Sequence, residues 1–505
     1  MVRRDTHAGE MMPATWSNRA PANGSHATST DETGPWARAF AAEIAGLRSD
    51  GVTYADSAAF LRALVARATL KFTDIRDDPR KFFLAHRLLA KHAPDHGPGF
   101  WIRFTVQFNL FAGTVVALGG PEQLAELDAI QRAGQLGCFC LTERLAGVNS
   151  GLVVNTLAEW DPELQTFVID SPTDGAYKNW ISQGLTAEKA VCVASLRVGG
   201  VDRGPHAFLI DVRDPETGRL VPGVVTGDMG KKTTGVDLDN AWVRFDKLRV
   251  GRDRLLNRYG EVVGNEYVAK AKGVRTMDMI GQRLFTGRVA VAQAALAFAE
   301  KLFADTKRYS DAKMCVMRGD TPALTDVPQL RALYEEAEGR LTRVKKFVET
   351  CESRLCECLA ADRIPPADLT RAIAVAKIRA VETAIELCFR LKQEVGSYAL
   401  MDGTGFQHCD FLQCCKFAEG DSRILSQKLA RDAFAQWNRT GGKPPSDWSR
   451  AEVQACENVA AAVRNASSRG AGKSAAWDAA WRDVYALADA VCERVVDQDA
   501  RGAKL

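Results

Sequence analysis

Three textures of apolar and polar residues succeed one another along the chain. From Trp36 to about 135, apolar residues recur at three- and four-residue steps, as in YADSAAFLRALVARA. This is the period of helices with one buried face. PEQLAELDAI opens with a proline suited to a first helical turn. At Gly137 the period changes. Up to about 250 the segments are short, alternating and rich in β-branched residues (TFVID, AVCVASLRV, HAFLIDV, AWVRFDKLRV), with turn clusters such as DPETGRLVPG between them. That predicts a β domain. Beyond about 275 long helical patterns return. In PQLRALYEEAEGRLTRVKKFVETCESRLCECLA, residues Leu330, Leu333, Leu341, Val344, Phe347, Val348 and Leu355 fall on one stripe. With MIGQRLFTGRVAVAQAALAFAEKLFADTKRYS, PADLTRAIAVAKIRAVETAIELCFRLKQEVG and the stretch from Arg423 to Trp437, four antiparallel helices predict a four-helix bundle. Two more helices are expected around 448–466 and 475–497. Their joint contains GAGKS, but the first glycine of a phosphate-loop pattern would fall on Ser467, and a helix precedes it. It reads as a turn. Trp477, Trp481, Val484 and Tyr485 lie at helical spacing and read as packing surface.

The expected division is therefore a disordered segment over 1–34, helices over 35–136, a β domain over 137–255, a helical bundle over 270–440 and a helical extension over 441–505. The first segment is rich in Ser, Thr, Gly, Pro and Asn. Its Arg3, Arg4 and Arg19 hint at a transit peptide, but Asp5, Glu10, Asp31 and Glu32 count against one. With 505 residues, 46% hydrophobic and 26% charged, the composition is that of a soluble globular protein. A net charge of +3 without like-charge blocks carries no nucleic-acid footprint. No apolar run reaches the ~20 residues of a membrane span. The thirteen cysteines lack the paired spacing of zinc ligands, so no metal is expected, and they read as small core fillers in a reducing compartment.

One acid stands out. In KFAEGDSRI, Glu419 lies between Ala418 and Gly420 where an apolar stretch meets a helix, with no histidine or metal-binding neighbour. Taken alone it is a solvated charge near a helix start. The order helices, β domain, bundle, together with particular phrases, resembles the acyl-CoA oxidase and acyl-CoA dehydrogenase superfamily over roughly residues 90–435. The likeness is strongest over 204–260, GPHAFLIDVRDPETGRLVPG onward. It implies an α+β, acyl-CoA dehydrogenase-like fold: an N-terminal helical domain, a middle β-barrel, and a C-terminal four-helix bundle with a short helical extension.

The resemblance also implies roles. CFCLTERLAGVN is similar to the first flavin stretch, with Thr142, Glu143, Gly147 and Asn149 in place and Val148 for the usual Ser. Asn149 would reach the substrate. In KNWISQG, Trp180, Ile181 and Ser182 would pack on and face an FAD ring. QEVGS puts Gln393 and Gly396 at a turn that serves the cofactor of a second subunit, with Ser397 for the second glycine. Lys313 stands where an arginine usually meets the pyrophosphate, keeping charge but losing the fork. Asp278, with Arg283 or Arg288, would contact CoA. KFAEGDSRI matches the stretch whose Glu is the catalytic base, so Glu419 would take the proton next to the thioester carbonyl. Gly420 would let the backbone approach the substrate. Asp421 and Ser422 depart from the pattern beside it. The implied activity is an FAD-dependent acyl-CoA oxidase that passes electrons to O2. The rivals are an acyl-CoA dehydrogenase that uses a flavoprotein acceptor, and a non-catalytic protein on the same fold. A homodimer is implied. Ala503-Lys504-Leu505 reads as a peroxisomal (or glycosomal) import signal, with the import receptor as partner.

Overall fold

The computed structural model describes residues 32–46, 53–147, 153–270, 276–316, 319 and 321–501. The first helices are α1 (Pro35–Gly46), α2 (Tyr54–Arg67), the single turn α3 (Asp74–Asp77), α4 (Pro79–His96), α5 (Pro98–Thr105), α6 (Gly113–Leu118) and α7 (Pro121–Arg132). Reciprocal bonds between Thr53 and Asp56 start α2, each side chain accepting the other's backbone N–H. Between α5 and α6, Val106–Ala112 wind as a π-helix, so one rod runs from Pro98 to Leu118. Contrary to the sequence expectation, this rod is long and apolar enough to cross a membrane, but 89% of its most apolar window is buried inside the protein. It is a core helix, hydrophobic on all sides because it is surrounded.

The strands are β1 (Gly137–Cys140), β2 (Leu157–Asp161), β3 (Thr166–Asp170), β4 (Lys178–Ser182), β5 (Lys189–Val198), β6 (Val201–Asp211), β7 (Val224–Asp228), β8 (Asn240–Phe245), β9 (Leu248–Gly251), β10 (Gly260–Val263) and β11 (Glu266–Ala269). β5 organises the larger, mixed sheet. β1 and β2 lie parallel along successive halves of one of its edges, and β6 pairs antiparallel on the other. β3 and β9 extend the sheet from β2. A three-stranded sheet, β4–β8–β7, stands beside it, and the β10–β11 hairpin carries the strands on to Ala269.

The bundle comprises α8 (Thr276–Ala312), α9 (Pro328–Ala360), α10 (Ala367–Glu394) and α12 (Ser422–Arg439), with the short α11 (Phe411–Phe417) before the last. All seven residues of the α9 stripe are buried. Ion pairs Arg340–Glu386, Arg390–Glu336 and Arg354–Asp368 fix α9 antiparallel to α10. α8 and α10 run parallel. At one end Arg288 and Lys377 converge on the Glu419 loop. At the other, Tyr309 stacks on Tyr398 with ring centroids 3.6 Å apart. The extension has three helices where two were expected, α13 (Arg450–Ser468), α14 (Lys473–Ala479) and α15 (Trp481–Ala500), because the chain turns at Ala480, whose N–H bonds the Trp477 carbonyl. GAGKS forms the turn between α13 and α14. Trp477 packs on Phe434 of α12 as expected, whereas Trp481 is largely exposed. α15 docks on the bundle through Arg379–Glu493 and Arg343–Asp497. All thirteen cysteines are free thiols, most of them buried.

Candidate active site

Between α11 and α12 the chain takes two consecutive left-handed residues, Glu419 (φ +58°) and Gly420 (φ +97°). Glycine adopts this freely, but a glutamate does so at a cost of about 1 kcal/mol or more. The loop must therefore be held, and two cations, a half-buried arginine and a buried lysine, hold it by its carbonyls. Arg288 of α8 donates Nε–H to the Glu419 carbonyl at 3.0 Å. Lys377 of α10 donates Nζ–H to the carbonyls of Lys416 (2.6 Å) and Gly420 (2.9 Å) and to Ser422 Oγ (3.1 Å). Asp421 caps α12 by accepting the Arg423 N–H at 2.7 Å. With its backbone so fixed, the Glu419 side chain turns inward and is only 8% exposed. Asn109 of the π-turn donates Nδ2–H to Oε1 at 3.3 Å, and Oε2 has no hydrogen-bond partner among the described residues. The carboxyl rests over Gly287 of α8, where any Cβ would fall on its carboxyl carbon.

Burial pushes the Glu419 carboxyl up to about 8, against the Asn109 bond and the charges of Arg288 and Lys377, which pull it down. Loss of water lowers Lys377 to about 7 and Arg288 to about 10. A desolvated carboxyl that changes charge near neutral pH is what proton transfer at neutral pH asks for.

A second set of residues gathers at β1 and β4. Glu143 is fully buried and accepts from Lys178 Nζ (2.9 Å), the N–H groups of Asn155 (2.6 Å) and Thr156 (2.9 Å), and Thr156 Oγ1 (2.8 Å). This ion pair ties the end of β1 to β4, and the Asn179 N–H bonds the Thr142 carbonyl at 2.8 Å. Thr142 and Gly147 are exposed. β4 bulges between Lys178 and Ile181, which throws Trp180 outward at φ +57° with 56% of its surface exposed. Ile181 faces the core, and Ser182 Oγ accepts from Asn240 Nδ2 at 3.1 Å.

The buried rod joins the two sets. Gln107 Oε1 accepts the Gly137 N–H (2.8 Å) and Gln183 Nε2–H (3.2 Å), at the start of β1 and just past β4. Two residues on, Asn109 reaches Glu419 from the other side of the helix.

No family model matches the chain. It is 28% identical over 418 residues to the peroxisomal acyl-coenzyme A oxidase 2 of Arabidopsis thaliana, covering 77% of this chain and 58% of that protein. It is 37% identical over 213 residues to the human peroxisomal acyl-coenzyme A oxidase 3, covering 41% of this chain and 30% of that protein. The chain thus spans little more than half the length of the first relative. Its fold superposes with a TM-score of 0.75, at 18% identity, on the acyl-CoA oxidase-2 of Caenorhabditis elegans solved with FAD, ascaroside-CoA and ATP, covering 92% of this chain and 76% of that one. The chain is thus similar in sequence to acyl-CoA oxidases and shares their fold.

Against the superfamily pattern, Glu419, Gly420 and Arg288 come together in one place, and Thr142, Gly147, Trp180, Ile181 and Ser182 in another. Arg288, expected from the resemblance as a CoA contact, bonds the loop of Glu419 through its Nε. Lys313, Gln393 and Gly396 lie apart from both sets. Lys313 is 25 residues along from Arg288, ~37 Å at helical rise, and Gln393 stands ~24 Å beyond Lys377 on the parallel α10. All three are exposed at that far end, and Gly396 is left-handed at φ +62°. Asn149 lies outside the described residues, as does the terminal tripeptide. Asp278 and Arg283 lie on the first turns of α8, and their side chains are outside the described set. Sequence reasoning missed Asn109, Gln107, Gly287 and Lys377. The signal existed in two of them: an amide inside the apolar VQFNLFAGTVVAL, and a lysine inside the apolar AIAVAKIRAV. Such residues are buried only with partners.

Proposed function

We propose that the chain is an acyl-CoA oxidase that binds FAD and converts acyl-CoA to the trans-2-enoyl product, with Glu419 as the base. The observation that carries this is the inward-turned Glu419 carboxyl, held by clamped left-handed backbone and raised towards neutrality by burial. Glu419 takes the proton from the carbon next to the thioester carbonyl, and its backbone N–H holds the thioester oxygen as charge develops.

The residues at β1 and β4 fit a flavin. A tryptophan in left-handed backbone, half out of the fold, is a strained and poorly buried placement. It makes sense where a flat ring lies against the indole. Thr142, Gly147, Trp180, Ile181 and Ser182 would hold the ring, with Ile181 screening it from water. FAD supplies, when bound, acceptance of the hydride from the next carbon and delivery of its electrons to O2 as hydrogen peroxide.

Lys313, Gln393 and Gly396 suit the cofactor of a second subunit, which supports a homodimer. Exposed Met314, Val316, Phe389, Leu400 and Met401 surround them, an apolar surface in need of cover. Asn149, Asp278 and Arg283 would meet the substrate. The terminal Ala503-Lys504-Leu505 and the peroxisomal relatives support import into peroxisomes.

Ser182 favours the dehydrogenase reading, because its hydroxyl sits where oxidases usually carry glycine. A peroxide assay with a panel of acyl-CoAs separates the two. Peroxide formed in step with flavin turnover supports the oxidase, and flavin reduction that stalls in air without peroxide supports the dehydrogenase. A colourless protein that binds no flavin defeats both.

A further inference from the structure

The rod between β sheet and bundle carries one feature that neither its packing nor the site pattern explains. Seven residues, Val106–Ala112, leave α-helical winding for π-helix in the middle of an otherwise regular segment. Such wide turns are rare, and inside α-helices they are found frequently at functional sites. Here the wide turn holds two buried amides in an apolar run. Gln107 is spent on the sheet. Asn109 is fully buried and donates to Glu419 Oε1 at 3.3 Å.

The two oxygens of Glu419 are thereby made unequal. Oε1 is anchored, while Oε2 lies over the bare Cα of Gly287 without a hydrogen-bond partner. We infer that Asn109, presented by the π-turn, is the positioning residue that holds Glu419 by Oε1 and leaves Oε2 as the atom that receives the substrate proton. This rests on the reading of Glu419 as the base. In the step, the C–H bond next to the thioester carbonyl breaks and its proton forms an O–H bond on Oε2. The electron pair left behind forms the new carbon–carbon double bond as hydride leaves the next carbon for the flavin. An amide N–H suits this duty, because Oε1 accepts it equally as carboxylate oxygen before transfer and as carbonyl oxygen after. The charged groups facing Glu419 are Arg288 from α8 and Lys377 from α10. Both spend hydrogen bonds on backbone carbonyls, so the neutral Asn109 makes the one side-chain hydrogen bond to the carboxylate among the described residues.

The test is a titration of the Glu419 carboxyl by its infrared carbonyl band in the full-length protein, assigned by subtracting the spectrum of Glu419→Gln. Asn109→Leu removes a bond that favours the charged form and should move the midpoint up by about one pH unit, the lower end for a hydrogen bond to a charged group. Asn109→Asp places a second carboxyl beside the first and should move it up further. It supplies the same reading should Asn109→Leu fail to fold. The pH at which anaerobic flavin reduction by acyl-CoA reaches half its limiting rate should rise with the infrared midpoint. A merely structural Asn109 would lower the denaturation temperature and leave the midpoint in place, and an unmoved midpoint in the folded variants overturns the inference. The infrared arm needs no turnover. A shifted midpoint in a protein that no acyl-CoA reduces would therefore defeat the proposed function and leave the Asn109–Glu419 coupling standing.

Discussion

Replacing Glu419 by Gln keeps the size of the side chain and its place over Gly287 but removes the proton that titrates. The structure assigns this change a pH-dependent effect on stability. Burial holds the folded carboxyl at about 8, against an ordinary value of 4.5 in the unfolded chain. Below 4.5 both states are protonated. Between 4.5 and 8 the unfolded chain releases a proton that the folded protein keeps, so the contribution of Glu419 to stability is lost as pH rises and is gone above 8. Integrated over that window the loss is ~5 kcal/mol. Glu419→Gln escapes it, because an amide stays neutral throughout. The urea midpoints of the wild type and of Glu419→Gln, measured on flavin-free protein from pH 5 to 9, should separate in favour of the Gln variant as pH rises and run parallel above pH 8. Lys377, lowered to about 7 by burial, titrates in both proteins and cancels from the difference to first order. A gap that stays constant from pH 5 to 9 would show that Glu419 ionises as an exposed acid does, and the placement of the carboxyl would be refuted.

Other outcomes follow from the same geometry. Gly287→Ala puts a methyl where the Glu419 carboxyl lies and should slow acyl-CoA-dependent flavin reduction by about 10²-fold while FAD content holds, because the base is displaced by about an ångström; unchanged rates would mean that the carboxyl works elsewhere. Lys377→Met takes the lysine donor from the half-buried Lys416 and Gly420 carbonyls and from the Ser422 hydroxyl. It should cost about 1–3 kcal/mol, with faster amide exchange confined to residues 416–422, and uniform exchange through the bundle would count against a local clamp. Removing Ala503–Leu505 should leave a fluorescently tagged protein in the cytosol, and persisting puncta would defeat the import signal. Sedimentation of the flavin-loaded protein at micromolar concentration should give a dimer; a flavin-loaded monomer would show that Lys313, Gln393 and Gly396 serve no second subunit.

Periodicity sufficed for the bundle because each helix carries its own amphipathic record. The seven stripe residues of α9 are apolar at helical steps and all are buried. Glu419 was legible only through its neighbours in sequence, since KFAEGDSRI carries the match while nothing in its composition says buried. Lys377 stood out as a lysine in an apolar run, but what the two clamps hold was illegible for a physical reason. Lys377 and Arg288 lie 42 and 131 residues from the loop they hold, and they act on backbone carbonyls, which leave no mark on residue type. The π-turn is hidden likewise, because VQFNLFA satisfies ordinary helical winding as well, and the partners of Gln107 and Asn109 lie far along the chain. The third helix of the extension escaped notice because α14 and α15 share one continuous apolar pattern across the turn at Ala480.

The most direct test of Glu419 as base is the anaerobic mixing of FAD-loaded protein with excess acyl-CoA, followed by the loss of flavin absorbance. The wild type should bleach, and Glu419→Gln, with the same flavin content and acyl-CoA affinity, should bleach at least about 10²-fold more slowly, the lower end for loss of a general base. Bleaching of the Gln variant at the wild-type rate would contradict the assignment and leave the proton to another group.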